Sequence, residues 1–142
     1  MRYVLDASLA AKRFLPSAQE SLSDEAEEMF RGLCCGQFRL LVPDLFWPEV
    51  GNILWKAVRM GRMTRPAADA SIAALQGSGL NTMSSRPLLP NAFAIATTFG
   101  RTVYDATYVA LAAESGAPFI TADDRLVNAF SGRFPVRWLG AF

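Results

Sequence analysis

Apolar residues recur at helical spacing over most of this chain, and short apolar runs interrupt that pattern. Arg2–Leu5 reads as a short buried strand that ends at Asp6. Asp6 is then placed to cap a helix through Leu9–Phe14, which Pro16 stops. Ser17 with Glu20 resembles a capping box ahead of a helix from Ser21 to Leu33, with Met29, Phe30 and Leu33 as its apolar stripe. Arg39–Val42 is a second strand. A long amphipathic helix from Asp44 to Met60 follows, with Phe46, Val50, Ile53, Leu54, Ala57 and Val58 on one face. Thr64 can cap a helix over 65–76, and Leu80–Met83 is a weak strand signal. Apolar helices are expected over Leu88–Phe99 and Tyr104–Ser115. Phe119–Thr121 and Val136–Leu139 read as strands on either side of a short helix to Phe130. Strands alternating with helices in this way predict an α/β fold, with a parallel sheet covered by helices on both faces.

Composition narrows the chemistry. The 142 residues suit one domain over 1–142, and 51% hydrophobic content with 19% charged fits a chain with a sizeable core. No apolar run approaches the roughly 18 residues of a membrane span. The opening MRYVLDASLA sets an aspartate where a leader would need its apolar centre, so the expected location is the cytoplasm. Histidine is absent, which removes histidine bases, histidine-dependent triads and the common zinc sites together. The adjacent Cys34 and Cys35 lack the spacing for an unstrained disulfide and read as apolar filler near a helix end. Any metal must therefore be held by oxygen, which favours Mg²⁺ or Mn²⁺. A net charge of +1 neither announces nor excludes a nucleic-acid partner.

Ligands of open α/β sheets sit outside the carboxyl ends of the strands. Asp6 and Asp123 stand at two such ends, Glu49 begins the second turn of the long helix, and Asp105 begins a later one. Taken singly, Asp6 and Asp105 read as helix caps, Asp123 as a turn residue and Glu49 as a first-turn acid. Together, in a chain whose only lysines are Lys12 and Lys56, they are expected to converge. Carboxylates gathered in one pocket raise one another's pKa unless a cation neutralises them. One or two bound Mg²⁺ or Mn²⁺ ions can orient a water, lower its pKa and stabilise both oxygens of an in-line displacement at phosphorus, leaving 3′-hydroxyl and 5′-phosphate ends. Ser8, Asn52 and Thr121 are candidate supporting residues by their spacing from the acids. Asp124 reads as the cap of the last helix with metal proximity left open, and Asp44 and Asp69 as cap and surface residues. Trp47, Trp55, Phe46 and Phe30 read as core or dimer contacts.

The strings YVLDASLAAKRFLP, VPDLFWPEVGNILWKAVRMGRMT and VYDATYVALAAESGAPFITADDRL, with the closing VRWL, resemble the PIN-domain ribonucleases, and among them the VapC-type toxins of toxin–antitoxin pairs. The resemblance runs in order over nearly the whole chain. It implies a three-layer α/β/α fold whose central parallel sheet has about five strands. It also implies an Mg²⁺- or Mn²⁺-dependent endoribonuclease in which Asp6, Glu49, Asp105 and Asp123 are the metal-binding and catalytic acids, with Ser8, Asn52 and Thr121 as supporting residues. Its implied partners are a cognate VapB-type antitoxin, an RNA substrate of the tRNA or rRNA class, and a second copy in a homodimer. Lys12, Arg13, Arg101 and Arg125 lie near the acids in sequence and are the candidate RNA contacts. Two departures stand out: Arg13 occupies a position where many relatives carry tryptophan, and the 80–89 segment matches no part of the pattern. The competing reading is a catalytically silent RNA- or partner-binding module on the same fold. An aspartyl-nucleophile phosphatase is disfavoured because Ser8 stands where a second aspartate is needed.

Overall fold

In a computed structural model, residues 1–16 and 21–142 are described. Five strands form one sheet: β1 (Arg2–Leu5), β2 (Arg39–Pro43), β3 (Asn81–Met83), β4 (Phe119–Thr121) and β5 (Val136–Trp138). Between them run α1 (Ala7–Phe14), α2 (Ser23–Cys34), α3 (Phe46–Arg59), α4 (Arg65–Gln76), α5 (Leu89–Phe99), α6 (Val103–Ser115) and α7 (Asp124–Phe130). The strand order is β3-β2-β1-β4-β5 and every neighbouring pair is parallel. The α/β expectation holds, and the weak signal at Leu80–Met83 corresponds to a strand, Asn81–Met83, at the edge of the sheet.

The chain winds outward from β1 through β2 to β3, then returns to the other side of β1 to lay down β4 and β5. Connections therefore leave β1 and β4 in opposite directions, which opens a crevice beyond their carboxyl ends. The register places Leu5 beside Ile120, so Asp6 and Thr121, the next residues on each strand, emerge side by side at its floor.

Burial follows the layers. Val4 and Leu5 of β1 and Phe119, Ile120 and Thr121 of β4 are fully buried, as central parallel strands require. Helix α6 packs across β1, β2 and β4, and α5 packs against it. Seven consecutive α6 residues, Ala106 to Ala112, are buried, so this helix shows little amphipathic periodicity. Helix α3 keeps the expected stripe, with Phe46, Val50, Leu54 and Ala57 inward. Thr64 caps α4 by accepting from the Ala67 amide at 3.2 Å, and Gly116, at φ 65°, closes α6 in a left-handed turn.

Several local expectations are corrected. Cys34 and Cys35 are free and exposed at the end of α2, because the buried face of that helix is made by Ala26, Met29, Phe30 and Gly32. Asp44 does not cap α3, whose N-cap is Leu45. Its Oδ2 instead accepts from the Ser85 amide at 3.1 Å, and Trp47 Nε1 donates to Thr82 at 3.0 Å. These two bonds fasten the 80–89 segment to the start of α3. Trp55 is 54% exposed, whereas Phe46 and Phe30 are core and Trp47 is partly buried. Asp69 pairs with Arg65 on the surface, as expected. The capping box of Ser17 and Glu20 lies outside the described residues.

Phe46 is wholly buried at the first turn of α3, three residues before Glu49. Replacing Phe46 with alanine should destabilise the protein by about 3–5 kcal/mol through lost burial and a residual cavity, read as a lower urea midpoint.

Candidate active site

Asp6, Glu49, Asp105 and Asp123 line one cleft of about 280 Å³ at the sheet's switch point, with Ser8 beside them and Ala7, Ile53, Ala122 and Leu126 as its apolar walls. The four acids arrive from four elements: the end of β1, the first turn of α3, the first turn of α6, and the turn after β4. The expected convergence is met.

Asp6 occupies the N-cap position of α1, but its side chain makes no capping hydrogen bond. Its Oδ2 accepts instead from the hydroxyls of Ser8, at 2.9 Å, and Thr121, at 2.7 Å. Thr121 is fully buried and spends its single proton on Asp6, while its oxygen accepts from the Asp123 amide at 3.0 Å. Glu49 is held from below: Tyr108, 2% exposed, donates its phenolic proton to Oε1 at 3.1 Å. Asp105 is not a cap either. Thr102 caps α6, accepting from the Asp105 amide at 3.2 Å, which leaves the Asp105 carboxylate facing the cleft. Asp123, by contrast, is the N-cap of α7 and accepts from the Arg125 amide at 2.9 Å, so Asp124 becomes the first helical residue.

The electrostatics divide the four. Burial pushes the Asp6 carboxyl up against the hydrogen bonds of Thr121 and Ser8, and the charge of Asp105 pushes it further. Burial raises Glu49 to about 7, opposed by Tyr108 and assisted by the charges of Asp6 and Asp105. Burial also raises Asp105, with Arg101 opposing it and Asp123 adding to it. Desolvation would raise Asp123 too, but hydrogen bonds and charge from Arg125 outweigh it and hold this carboxyl below its ordinary value. The guanidinium of Arg125 reaches Oδ1 at 3.3 Å and Oδ2 at 3.4 Å. Three acids thus crowd and repel, and the fourth already has a cation.

The supporting residues separate likewise. Ser8 and Thr121 contact an acid directly, whereas Asn52 is exposed and lies outside the cleft, because the face of α3 that it shares with Lys56 looks away from the sheet. Among the basic candidates, Arg101 donates to the Arg125 carbonyl at 2.9 Å, so the two stand together on the Asp105 side. Arg13 pairs with Glu27 at 2.7 Å and lies over the Phe14 ring, tying α1 to α2. Lys12 donates to Ser21 at 3.4 Å. Tyr108 is not among the residues expected at the site and lies inside the helix expected over Tyr104–Ser115. Its position three after Asp105 was the available signal, since that spacing puts both on one face of α6.

A family model for the PIN domain matches residues 3–130. The chain belongs to the PIN domain family. This PIN domain is 37% identical over 132 residues to Ribonuclease VapC3 of Pyrobaculum aerophilum, covering 92% of this chain and 95% of that protein. Its fold is similar to the crystal structure of PAE2754 from the same organism, with a TM-score of 0.74 and 25% identity over 99% of this chain and 85% of that one. VapBC2 of Rickettsia felis, solved with a DNA fragment from its promoter, shares the fold at a TM-score of 0.68 and 10% identity, over 97% of this chain and 98% of that one.

The donor set bears on whether a divalent cation fits this PIN domain. Every polar side chain at the cleft offers oxygen, the ligand type of Mg²⁺ and Mn²⁺, and the mutual repulsion of Asp6, Glu49 and Asp105 is what a cation would relieve. Among the described residues, however, no three acidic or thiol side chains are drawn together as a ready-made cage. The arrangement therefore fits a hard ion that keeps part of its water shell and takes one or two carboxylates directly.

Without metal, the raised pKa of Glu49 dictates a pH dependence. Its folded value of about 7 lies above its ordinary 4.5, so the native state binds the extra proton between the two. That contribution to stability is full below pH 4.5 and is lost as pH rises through 7. Metal-free protein should lose unfolding free energy across this window, and Glu49→Gln should flatten the slope in urea titrations at successive pH values.

Proposed function

We propose that this PIN domain is a VapC-type endoribonuclease that hydrolyses RNA phosphodiester bonds with the help of Mg²⁺, or Mn²⁺ in its place, one or two ions per site. The observation that carries this reading is the set of three repelling carboxylates, Asp6, Glu49 and Asp105, facing one cleft at the sheet's switch point. The likeness to a protein named as a ribonuclease supports it.

In this mechanism Asp6, Glu49 and Asp105 would hold the cation, one or two of them directly and the rest through its water shell, and Asp123 would contribute once Arg125 turns away. A bound ion supplies Lewis-acid stabilisation of the phosphate and a more acidic water. The chain supplies the rest. Ser8 and Thr121 fix the Asp6 carboxylate through one oxygen, and Tyr108 fixes Glu49. Arg101 and Arg125 offer positive charge on the Asp105 side, where a phosphate oxygen can be paired as RNA enters. With no histidine in the chain, the protons of the reaction pass through water and carboxylates.

The same reading makes residues 1–142 one domain, working in the cytoplasm as a homodimer on RNA of the tRNA or rRNA class and restrained by a VapB-type antitoxin. No helix among the described residues is long and apolar enough to cross a membrane. The alternative, a silent binding module, draws on the Arg125 clamp on Asp123 and the lack of a preformed cage. Activity separates the two.

Purified protein with Mn²⁺ should cut RNA to 3′-hydroxyl and 5′-phosphate ends, and Asp6→Asn or Asp105→Asn should lower the rate by about a hundredfold or more while circular dichroism stays unchanged. Full cleavage by both variants would overturn the mechanism, and RNA binding without cleavage by the parent protein would establish the silent module. Millimolar Mn²⁺ should also raise Tm in the parent, because the ion binds the folded cluster and not the unfolded chain. Both aspartate variants should lose most of that shift in differential scanning calorimetry.

A further inference from the structure

We propose that Tyr108 is a positioning residue for the acidic cleft, its buried hydroxyl locking the Glu49 carboxylate in the orientation that faces Asp6. The proposal rests on the nuclease reading for its consequence in catalysis, but on geometry alone for the orientation itself.

Tyr108 is the third residue of α6's buried run, beside Thr107 and Val109, and is 2% exposed. A phenol that deep must spend its proton on a partner. Here the partner is Oε1 of Glu49, 59 residues away in sequence, at 3.1 Å. One hydroxyl therefore joins α6 to the start of α3, which carries Glu49.

The ring lies against the middle of the sheet, so the bond to Glu49 can be removed without disturbing its packing. It stacks on Phe119 of β4 with centroids 5.3 Å apart and planes 17° from parallel. Phe119 is fully buried and pairs with Val4 of β1 and Val136 of β5, so the platform is the centre of the sheet. Glu49 itself has a flexible side chain at the partly exposed cleft wall, repelled by Asp6 and Asp105. Without a fixed donor, that repulsion would swing its carboxylate outward. The single proton of Tyr108 is what opposes the swing, and removing it leaves a carboxylate whose oxygen must find water instead.

Tyr108→Phe keeps the ring and removes only the bond. Phe119→Leu is the packing control, loosening the ring stack while retaining the hydroxyl. The first readout needs neither metal nor substrate: side-chain couplings and relaxation of ¹³C-labelled Glu49. One rotamer is expected in the parent and in Phe119→Leu, and rotamer averaging in Tyr108→Phe. The second readout is the Mn²⁺ concentration at half-maximal Tm shift and half-maximal cleavage. It should rise about tenfold or more in Tyr108→Phe, with the KM for RNA unchanged, and stay near the parent value in Phe119→Leu. An equally ordered Glu49 in Tyr108→Phe overturns the proposal. So does an unchanged Mn²⁺ midpoint in that variant, or an equal shift in Phe119→Leu, which would mark the role as packing. A parent protein that neither binds Mn²⁺ nor cuts RNA would fell the nuclease reading instead, and the Glu49 rotamer would still decide the orientation claim.

Discussion

Like charges held close together in a place poor in water are the constraint on which this molecule turns. Asp6, Glu49 and Asp105 each carry a carboxyl raised by burial, and each feels at least one of the others. A chain optimised only for stability would exchange such groups for apolar ones. Here the surrounding structure is spent on keeping them: hydroxyls from Ser8, Thr121 and Tyr108, a threonine cap behind Asp105, and two arginines on one side. The donors are neutral wherever the acids face the cleft floor, so they orient charge without cancelling it. At Asp123, by contrast, a full positive charge makes contact.

That division explains why the sheet's topology matters more than its size. The reversal of winding at β1 brings two strand ends together with nothing built across them. Residues 6 and 121 come from opposite ends of the chain yet share a hydrogen bond. Glu49 and Asp105 are then delivered by helices that start near the same rim. Each acid sits where an element begins or ends, and none is in the middle of one.

Much of this was legible in the sequence because element ends are written in local chemistry. Helix periodicity located α3, Thr64 marked the start of α4, and short runs at Phe119–Thr121 and Val136–Leu139 marked β4 and β5. The four acids stood out for the same reason, each next to a change of pattern. Strand β3 gave only a weak signal, because it is exposed at all three residues, carries no apolar alternation and depends for its pairing with β2 on partners distant in sequence. Side-chain destinations were opaque. Asp6, Asp105 and Asp44 all look like caps, but tertiary partners claim Asp6 and Asp44, and Thr102 takes the cap before Asp105. Asn52 is three residues from Glu49 by spacing, but it lies on the exposed side of α3 with Lys56 and does not line the cleft. Tyr108 was invisible as a donor, because its acceptor lies 59 residues upstream.

Thr121 gives the arrangement an unusual sensitivity to strand register. Its side chain faces Asp6 only because β4 runs beside β1 with Ile120 level with Leu5. Alternation along a strand is strict, so sliding β4 by a single position would turn that hydroxyl to the opposite side of the sheet and bring a neighbour's apolar group against the carboxylate. The donor to Asp6 and the acceptor for the Asp123 amide would vanish in one movement, and a misregistered chain would thereby betray itself by losing its acidic pocket altogether.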